Sequence, residues 1–541
     1  PVAILAQAKI MRVAKLLFAN GYANSCHELI GCGQCVNRTV IGVHGCYWCE
    51  IDQGCHAVGS AVSPCTPDGA DDACISLASA SHCRHKSADA CASAGSDAAQ
   101  PRQIHLSVAG AGGMRVAWKT RGSVSSLSVL YAEDMSTTVG EPATIERSVE
   151  YLKSQGGHGY HHVALMSNLR PDTLYQYRII CDGVTSKVRG FRTESEQGSA
   201  TFLVVGDMGY GAAGEAVASR SRMESLKDRT NMTLHVGDIG YADDSFLHVH
   251  TKCPEEFCYE AVYDNYMEWI ENVSDTRPYM VAVGNHESEC HSPACLVSPE
   301  IKESLRNFTA YNTRWAMPSP ESGGTANMWY SFDFGPVHFV VVNTETDFPN
   351  APEVDYGDGG KIIGLQAGHF APEGSYRAWL NSDLQKASEN RGQRPWIVAF
   401  GHRPWVYQNG TSRDPAVEAA HSDLFQKYGV DLYLTGHVHS YHRVSPRSGN
   451  PAVPTVVTGG AGCEEFNSDK KSTGEFDLNG TNQMWDFRSY NKDTQVGLLE
   501  ATSSTLKFSA IASSSGQVFD SLVIRKEVKE ESGVFPERGE I

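Results

Sequence analysis

No stretch of this 541-residue chain runs for the roughly 18 to 20 uncharged apolar residues that a membrane-crossing helix requires, so no membrane span is expected. Positive charge is scarce as well: 45 lysines and arginines stand against 63 aspartates and glutamates, a net −18. Such a chain is repelled at long range by nucleic acid and by anionic membrane surfaces, so neither is expected as a partner. Any anionic ligand would then need a strong local cation. The length also exceeds what one hydrophobic core serves, and three or four domains are expected.

Cysteine, by contrast, is plentiful and unevenly spread: ten of the 16 lie between Cys26 and Cys91. That density reads as a disulfide framework, with zinc on the CxxC pairs as the lesser alternative. Six Asn-x-Ser/Thr sequons, at Asn37, Asn231, Asn272, Asn307, Asn409 and Asn479, fit the same oxidising compartment. Together they place the protein outside the cell, or in a vacuolar or lysosomal lumen. Segment 26–91, with CGQC and GCYWC, resembles the small cysteine-rich PSI module of plexins, semaphorins and integrins. The resemblance implies a spacer or docking role, with a protein or glycan as its partner. Residues 1–25 lack an initiator Met and are interrupted by Lys9, Arg12 and Lys15, so they read as a targeting remnant or a fragment boundary. Residues 92–100 are small, polar and turn-prone, a linker, and the charged tail 526–541 is expected to be disordered.

Between 101 and 196 come short alternating runs: IHLSVAG, MRVAWKT, SLSVLYA, HHVALMSNL, LYQYRIICD and KVRGFRT. Regular strands with no helical pattern between them indicate a β-sandwich. LRPDTLYQY is similar to the tyrosine corner of fibronectin type III domains, which implies that Tyr175 hydrogen-bonds back to the chain and that this unit is mainly scaffold.

From 198 to 525 the texture changes. TFLVV, MTLHV, YMVAV, WIVAF and VDLYL are apolar throughout, as strands buried on both faces must be, and helical spacing lies between them. SYRAWLNSDLQKASEN, for instance, puts Tyr376, Trp379, Leu380, Leu384 and Ala387 on one stripe. Alternation of this kind implies α/β layering. Each apolar run ends in the same way: Gly206-Asp207, Gly237-Asp238, Gly284-Asn285, Gly401-His402 and, after Thr435, Gly436-His437. A glycine allows close approach, and the next residue is presented at the carboxyl edge of the sheet, where open α/β sheets place their sites. One such unit is turn chemistry; five carrying only Asp, Asn and His point to metal. His437 and His439 fall in LTGHVHSYHR, where strand alternation would aim both the same way only while extended geometry lasts. Tyr241 lies three residues after Asp238, within reach of the same ion, with a buried core tyrosine as the alternative.

VGDMG, VGDIGY, VGNHE, VAFGHRPW and TGHVHSYHR, in this order, resemble the five motif blocks of the purple acid phosphatases, within the metallophosphoesterase superfamily. The resemblance runs from about 101 to 525. Gly209 stands where most metallophosphoesterases carry the histidine of D-x-H, and Tyr241 compensates. What the resemblance implies is an α/β fold: a metallophosphoesterase β-sandwich flanked by helices in α/β/β/α layers, preceded by a fibronectin type III-like all-β domain and a small disulfide-rich module. It implies Fe(III) on Asp207, Tyr241 and His439, a bridging Asp238, and a divalent Fe, Zn or Mn ion on Asn285, His402 and His437. It gives His286 the task of contacting the phosphate and protonating the leaving group. The activity implied is acid hydrolysis of small phosphate monoesters by a metal-bound hydroxide. A phosphodiester, a nucleotide pyrophosphate bond or phytate remain as alternative substrates, and a non-catalytic adhesion protein as the alternative class; a homodimer is left open.

The chain departs from the pattern in two places. HRPWVYQNGTSRD lacks the histidine pair that larger plant-type enzymes carry near the substrate, leaving Arg403 or Gln408 as candidates on that side. Many relatives read YER where this chain has YHR, so His442 is expected beside the site and not in it. Cys253 with Cys258, and Cys290 with Cys295, read as loop disulfides at the pocket rim.

Overall fold

A computed structural model describes residues 46–49, 54–57, 75–76, 98–152, 158–195, 198–210, 215–243, 259–288, 302, 305–353, 367–407, 412–447, 452–463, 465–466 and 485–526. The expectations for residues 1–25, the linker start, the charged tail, Gln408, the two loop cysteine pairs and three of the sequons (Asn37, Asn409 and Asn479) lie outside the described residues. Of the cysteine-rich segment, three short strands are described, Cys46–Cys49 between Gly54–Ala57 and Ile75–Ser76.

Residues 101 to 192 form an all-β unit of two antiparallel sheets. One runs Arg102–Val108, Met114–Thr120, Tyr160–Met166 and Thr144–Glu150; the other is built on Leu174–Cys181 and Leu127–Ala132. The apolar members of the alternating runs meet between them, with Ile104, Val116, Trp118, Val129, Tyr177 and Phe191 buried. Thr144–Glu150 has no apolar face, and it lies at a sheet edge with most of its side chains in solvent. The expected corner is present: the Tyr175 hydroxyl accepts the amide of Arg170 at 3.1 Å.

The larger unit starts with β1 (Ala200–Val205), α1 (Glu215–Leu226), β2 (Met232–His235), α2 (Tyr259–Ser274) and β3 (Tyr279–Val281). Next come α3 (Thr309–Arg314), β4 (Tyr330–Phe334), β5 (Val337–Val341), α4 (Ser375–Glu389), β6 (Trp396–Phe400), α5 (Pro415–Tyr428) and β7 (Leu432–Thr435). It closes with β8 (Tyr441–Pro446), β9 (Thr455–Thr458), β10 (Trp485–Tyr490), β11 (Gln495–Ala501), β12 (Thr505–Ala512) and β13 (Val518–Arg525). These strands make two mixed sheets, ordered β3-β2-β1-β11-β12-β13 and β4-β5-β6-β7-β9-β8-β10. β1, β2 and β3 are parallel to one another, as are β5, β6, β7 and β9. The sheets pack face to face through large side chains: the Phe202 ring of β1 meets that of Phe339 of β5 edge-on at 4.8 Å. Helices cover the outer faces, α1 over β11 and α4 over β5. On α4 the expected stripe is the buried one, with Tyr376, Leu380, Leu384 and Ala387 inside and Trp379 packed at its margin.

α2 ties the two units together. Its Glu260 accepts the guanidinium of Arg314 at 2.6 Å and the hydroxyl of Tyr151 at 2.8 Å, and its Asp264 pairs with Lys119 of the all-β unit. The same helix lays Tyr263 against Gly240, at the turn that carries Tyr241. The all-β unit is thereby packed against the helix that backs the site.

A second ionic clamp gives a pH prediction. His338 on β5 sits between Asp333, 2.6 Å from Nδ1, and Asp383 of α4, 3.0 Å from Nε2. Burial alone would lower its pKa, but the two carboxylates outweigh that and hold it at about 9. A folded-state pKa raised above the ordinary 6.5 stabilises fully below 6.5, and that stabilisation is lost as pH rises through 9. The chain is expected to lose roughly 3 kcal/mol of stability across that window. In His338→Gln the loss should vanish, which urea unfolding at several pH values would measure.

Candidate metal centre

The five strand-end turns come from both sheets: those after β1, β2 and β3 from one, those after β6 and β7 from the other. Their close packing explains the glycines. A Cβ on Gly284 would lie 2.2 Å from Asp238 Oδ1, and one on Gly436 would lie 2.3 Å from Asp207 Oδ2, distances no side chain tolerates. Asp207, Asp238, Tyr241 and His437 have φ of 55°, 51°, 48° and 67°, in the left-handed region that costs a non-glycine residue energy. Such conformations persist only where the surroundings enforce them, and they cluster at functional sites.

All seven residues singled out as ligands come together, in two groups. In the first, Tyr241 Oη lies 2.9 Å from His439 Nε2 and 3.3 Å from Asp207 Oδ1, and His439 Nε2 lies 3.3 Å from Asp207 Oδ1. In the second, Asn285 Oδ1 lies 3.1 Å from His402 Nε2 and 3.0 Å from His437 Nδ1. Asp238 touches both, with Oδ2 at 3.4 Å from Tyr241 Oη and 2.9 Å from His402 Nε2. Asp238, His402 and His437 present donor atoms within 4.8 Å of one another.

The convergence of His437 and His439 differs from the expected mechanism. β7 ends at Thr435, and residues 436–440 form a turn, so strand alternation does not aim the two rings. The left-handed backbone at His437 does so, with its amide donating to Asp207 Oδ2 at 2.9 Å. His442, as expected, stands aside: it faces Ser440 Oγ at 3.0 Å and the Phe487 ring. A Cβ on Gly209 would stand in ordinary van der Waals contact with the Cβ of Tyr241, at 3.5 Å, and the Cα of Cys463, at 3.4 Å; what favours glycine here is its left-handed backbone, φ 65°.

The donor set fits cations. His402 Nδ1 faces the carbonyl of Val236 at 3.0 Å, which can only accept, so Nδ1 carries hydrogen and the Nε2 lone pair points at two oxygens, Asp238 Oδ2 and Asn285 Oδ1. A positive charge must sit among them. Without a metal it is a proton: burial would lower the His402 pKa, but Asp238 holds it up at about 9. Burial, followed by the charges of Cys463, Asp207 and Asp238, pushes the Tyr241 phenol well above its ordinary range, so a phenolate here requires a cation. Asp207, Asp238, Asp243, Glu287, Glu345 and Glu353 are all buried around this point. Among the described residues the guanidinium set against them is Arg403, whose Nε donates to Glu345 at 2.8 Å and Nη2 to Glu353 at 3.1 Å.

His286, the expected proton donor, is also in place. Its Nδ1 lies 2.8 Å from Asp243 Oδ2, so the carboxylate fixes the hydrogen on that nitrogen. Its Nε2 lies 4.0 Å from Asp238 Oδ2, and its ring lies 4.1 Å from that of Tyr241. Several groups here were not singled out from sequence, the buried Glu287, Glu345 and Glu353 among them. Asp243 belongs to GDIGYADD, where nothing in the spacing shows its orientation. Glu465, at the rim, has Oε2 3.8 Å from His286 Nε2 and 3.9 Å from His439 Nδ1; Cys463 is buried against Tyr241. Both follow TVVT-Gly459, a sixth strand-glycine unit that carries no Asp, Asn or His to mark it. Arg403, a candidate for the substrate side, is turned to Glu345 and Glu353 through Nε and Nη2, with Nη1 3.1 Å from His437 Nε2.

Both units match known families. Residues 200–441, which carry all five turns, match the calcineurin-like phosphoesterase family, and residues 101–193 match the purple acid phosphatase N-terminal domain. Acid phosphatase A of Cryphonectria parasitica is 30% identical over 426 residues, covering 68% of this chain and 82% of that protein. Human acid phosphatase type 7 is 30% identical over 414 residues, covering 69% and 80%. The purple acid phosphatase PPD1 from yellow lupin seeds superposes with a TM-score of 0.59 at 22% identity, over 79% of this chain and 74% of its own, a likeness of fold. With a β-rich N-terminal domain ahead of a mixed α/β metallophosphoesterase fold, and with acid phosphatase relatives matched over most of their length, the chain belongs to the purple acid phosphatase family of enzymes.

Proposed function

We propose that the chain hydrolyses phosphate monoesters in mildly acidic solution, at a centre of Fe(III) and a divalent Fe, Zn or Mn ion. The observation that carries this reading is the meeting of seven donor side chains in two groups that share Asp238. Asp207, Tyr241 and His439 are the harder group, suited to a trivalent ion; Asn285, His402 and His437 are the borderline group, suited to a divalent one. When bound, the ion pair supplies positive charge for the phosphate and an activated hydroxide as nucleophile.

The side chains do the rest. Val236 fixes the His402 tautomer, so that Nε2 is turned inward. Asp243 orients His286, whose Nε2 edge then faces the leaving oxygen and delivers its proton. Glu465 takes a place at the rim of a site that lacks the plant-type histidine pair, while Arg403 frames His437. The all-β unit serves as a fibronectin type III-like scaffold, and the cysteine-rich segment as a disulfide-bonded, PSI-like docking module. Secretion or a lumenal location follows, with glycans at Asn272 and Asn307, both exposed; Asn231 is partly buried and accepts the amide of Thr201 at 2.9 Å.

Elemental analysis and visible absorption test the reading. The purified protein is expected to hold iron with a second ion and to be purple, and Tyr241→Phe to lose the band while retaining its fold. A colourless wild-type protein would sink the Fe(III)-tyrosinate assignment. Faster turnover of bis-esters or ATP than of a monoester would move the substrate to the diester or pyrophosphate class.

A further inference from the structure

We infer that Glu287 is a positioning residue that fixes the shared ligand Asp238 against the divalent-ion ligand Asn285; the inference rests on the binuclear reading above. Glu287 is 4% exposed and ends the short 3₁₀ turn Asn285–Glu287. Its Oε2 accepts the amides of Asp238 at 3.0 Å and Gly284 at 2.8 Å, and its Oε1 accepts the amide of Ile239 at 2.8 Å. Asp238 returns the arrangement, its Oδ1 accepting the amide of His286 at 2.9 Å. Two strand-end turns thus exchange carboxylates, each seated on the other's backbone.

Two consequences follow for the metal positions. Asp238 has Oδ1 committed to backbone, which leaves Oδ2 as the oxygen turned toward Tyr241 and His402. The left-handed backbone of Asp238, which costs energy by itself, is held by a carboxylate lying across two successive amides, the kind of concavity that binds anions. Among the described residues no lysine or arginine pairs with Glu287, so its two oxygens serve the backbone of the two turns and not an ion pair. Glutamine is no substitute: it offers one oxygen, and its NH₂ would confront at least one of the three amides.

The experiment follows ion loss from the full-length protein as purified, by elemental analysis during incubation with a chelator, for wild type, Glu287→Gln and Glu287→Asp. Outer groups that orient ligands are typically worth ~10–100-fold in metal affinity. Glu287→Gln is expected to release the divalent ion ~10–100-fold faster, with a far-ultraviolet spectrum like that of wild type. Glu287→Asp, with both oxygens on a shorter stem, should fall between. Wild-type release rates in Glu287→Gln overturn the inference, even if its thermal midpoint falls. So does a variant that is unfolded with and without added metal, because the residue then belongs to the fold. A wild-type protein that never holds two ions sinks the binuclear reading itself and is distinguishable from both.

Discussion

Asp238→Asn is expected to cut turnover of every phosphate ester by at least about three orders of magnitude, on the order of 4 kcal/mol in the barrier. The substitution retains shape, so the amide of His286 still finds an acceptor at 2.9 Å. What changes is charge. Asp238 Oδ2 faces His402 Nε2 at 2.9 Å and Tyr241 Oη at 3.4 Å, so this one side-chain oxygen touches donors of both ligand groups. Burial would raise the Asp238 pKa, but His402 and His286 hold it well below the usual carboxylate range, so it is ionised throughout the working pH. An amide there removes the one anion both positions share. Metal content should fall together with rate, and a variant with two ions per chain and near-wild-type turnover would refute the assignment of Asp238 as bridge.

His286→Asn is expected to lower kcat by ~10²–10⁴ on an alkyl phosphate, the range typical of a positioned proton donor. The reason is its place: Nδ1 is fixed on Asp243 at 2.8 Å, and Nε2 lies 4.0 Å from Asp238 Oδ2, beside the ligands without being counted among them. On a nitrophenyl phosphate, whose leaving group needs no proton, the loss should be much smaller. Metal content should not change. Equal losses on both esters would assign His286 to holding the phosphate, and loss of an ion would make it a ligand.

The sequence showed what is local and hid what is not. The strand-glycine-ligand units are read within three or four residues, and the five donors they flagged meet in space, together with Tyr241 and His439 a few residues beyond two of them. The stripe on α4 was legible for the same reason, since its period is internal to the helix. Thr144–Glu150 was missed because an edge strand in solvent needs no apolar alternation, and its neighbours alone make it a strand. The five turns were expected at the edge of an open sheet, but they come from two sheets, because nothing in a strand's composition tells which sheet it joins. Asp243 and Glu287 went unassigned, although Glu287 stands in VGNHE and Asp243 only two residues beyond VGDIGY. Their partners lie 43 to 49 residues away in sequence, except for the Gly284 amide, three residues from Glu287.

Each proposed ion position draws donors from both layers: Asp207 and Tyr241 with His439 on one side, Asn285 with His402 and His437 on the other. Neither layer alone offers a complete cage. Bound ions would therefore act as staples across the seam, adding their binding free energy to the cohesion of the sandwich. Parting of the layers and release of the ions would then be a single event, so the life of the metal in this enzyme would be set by the seam as much as by the ligands.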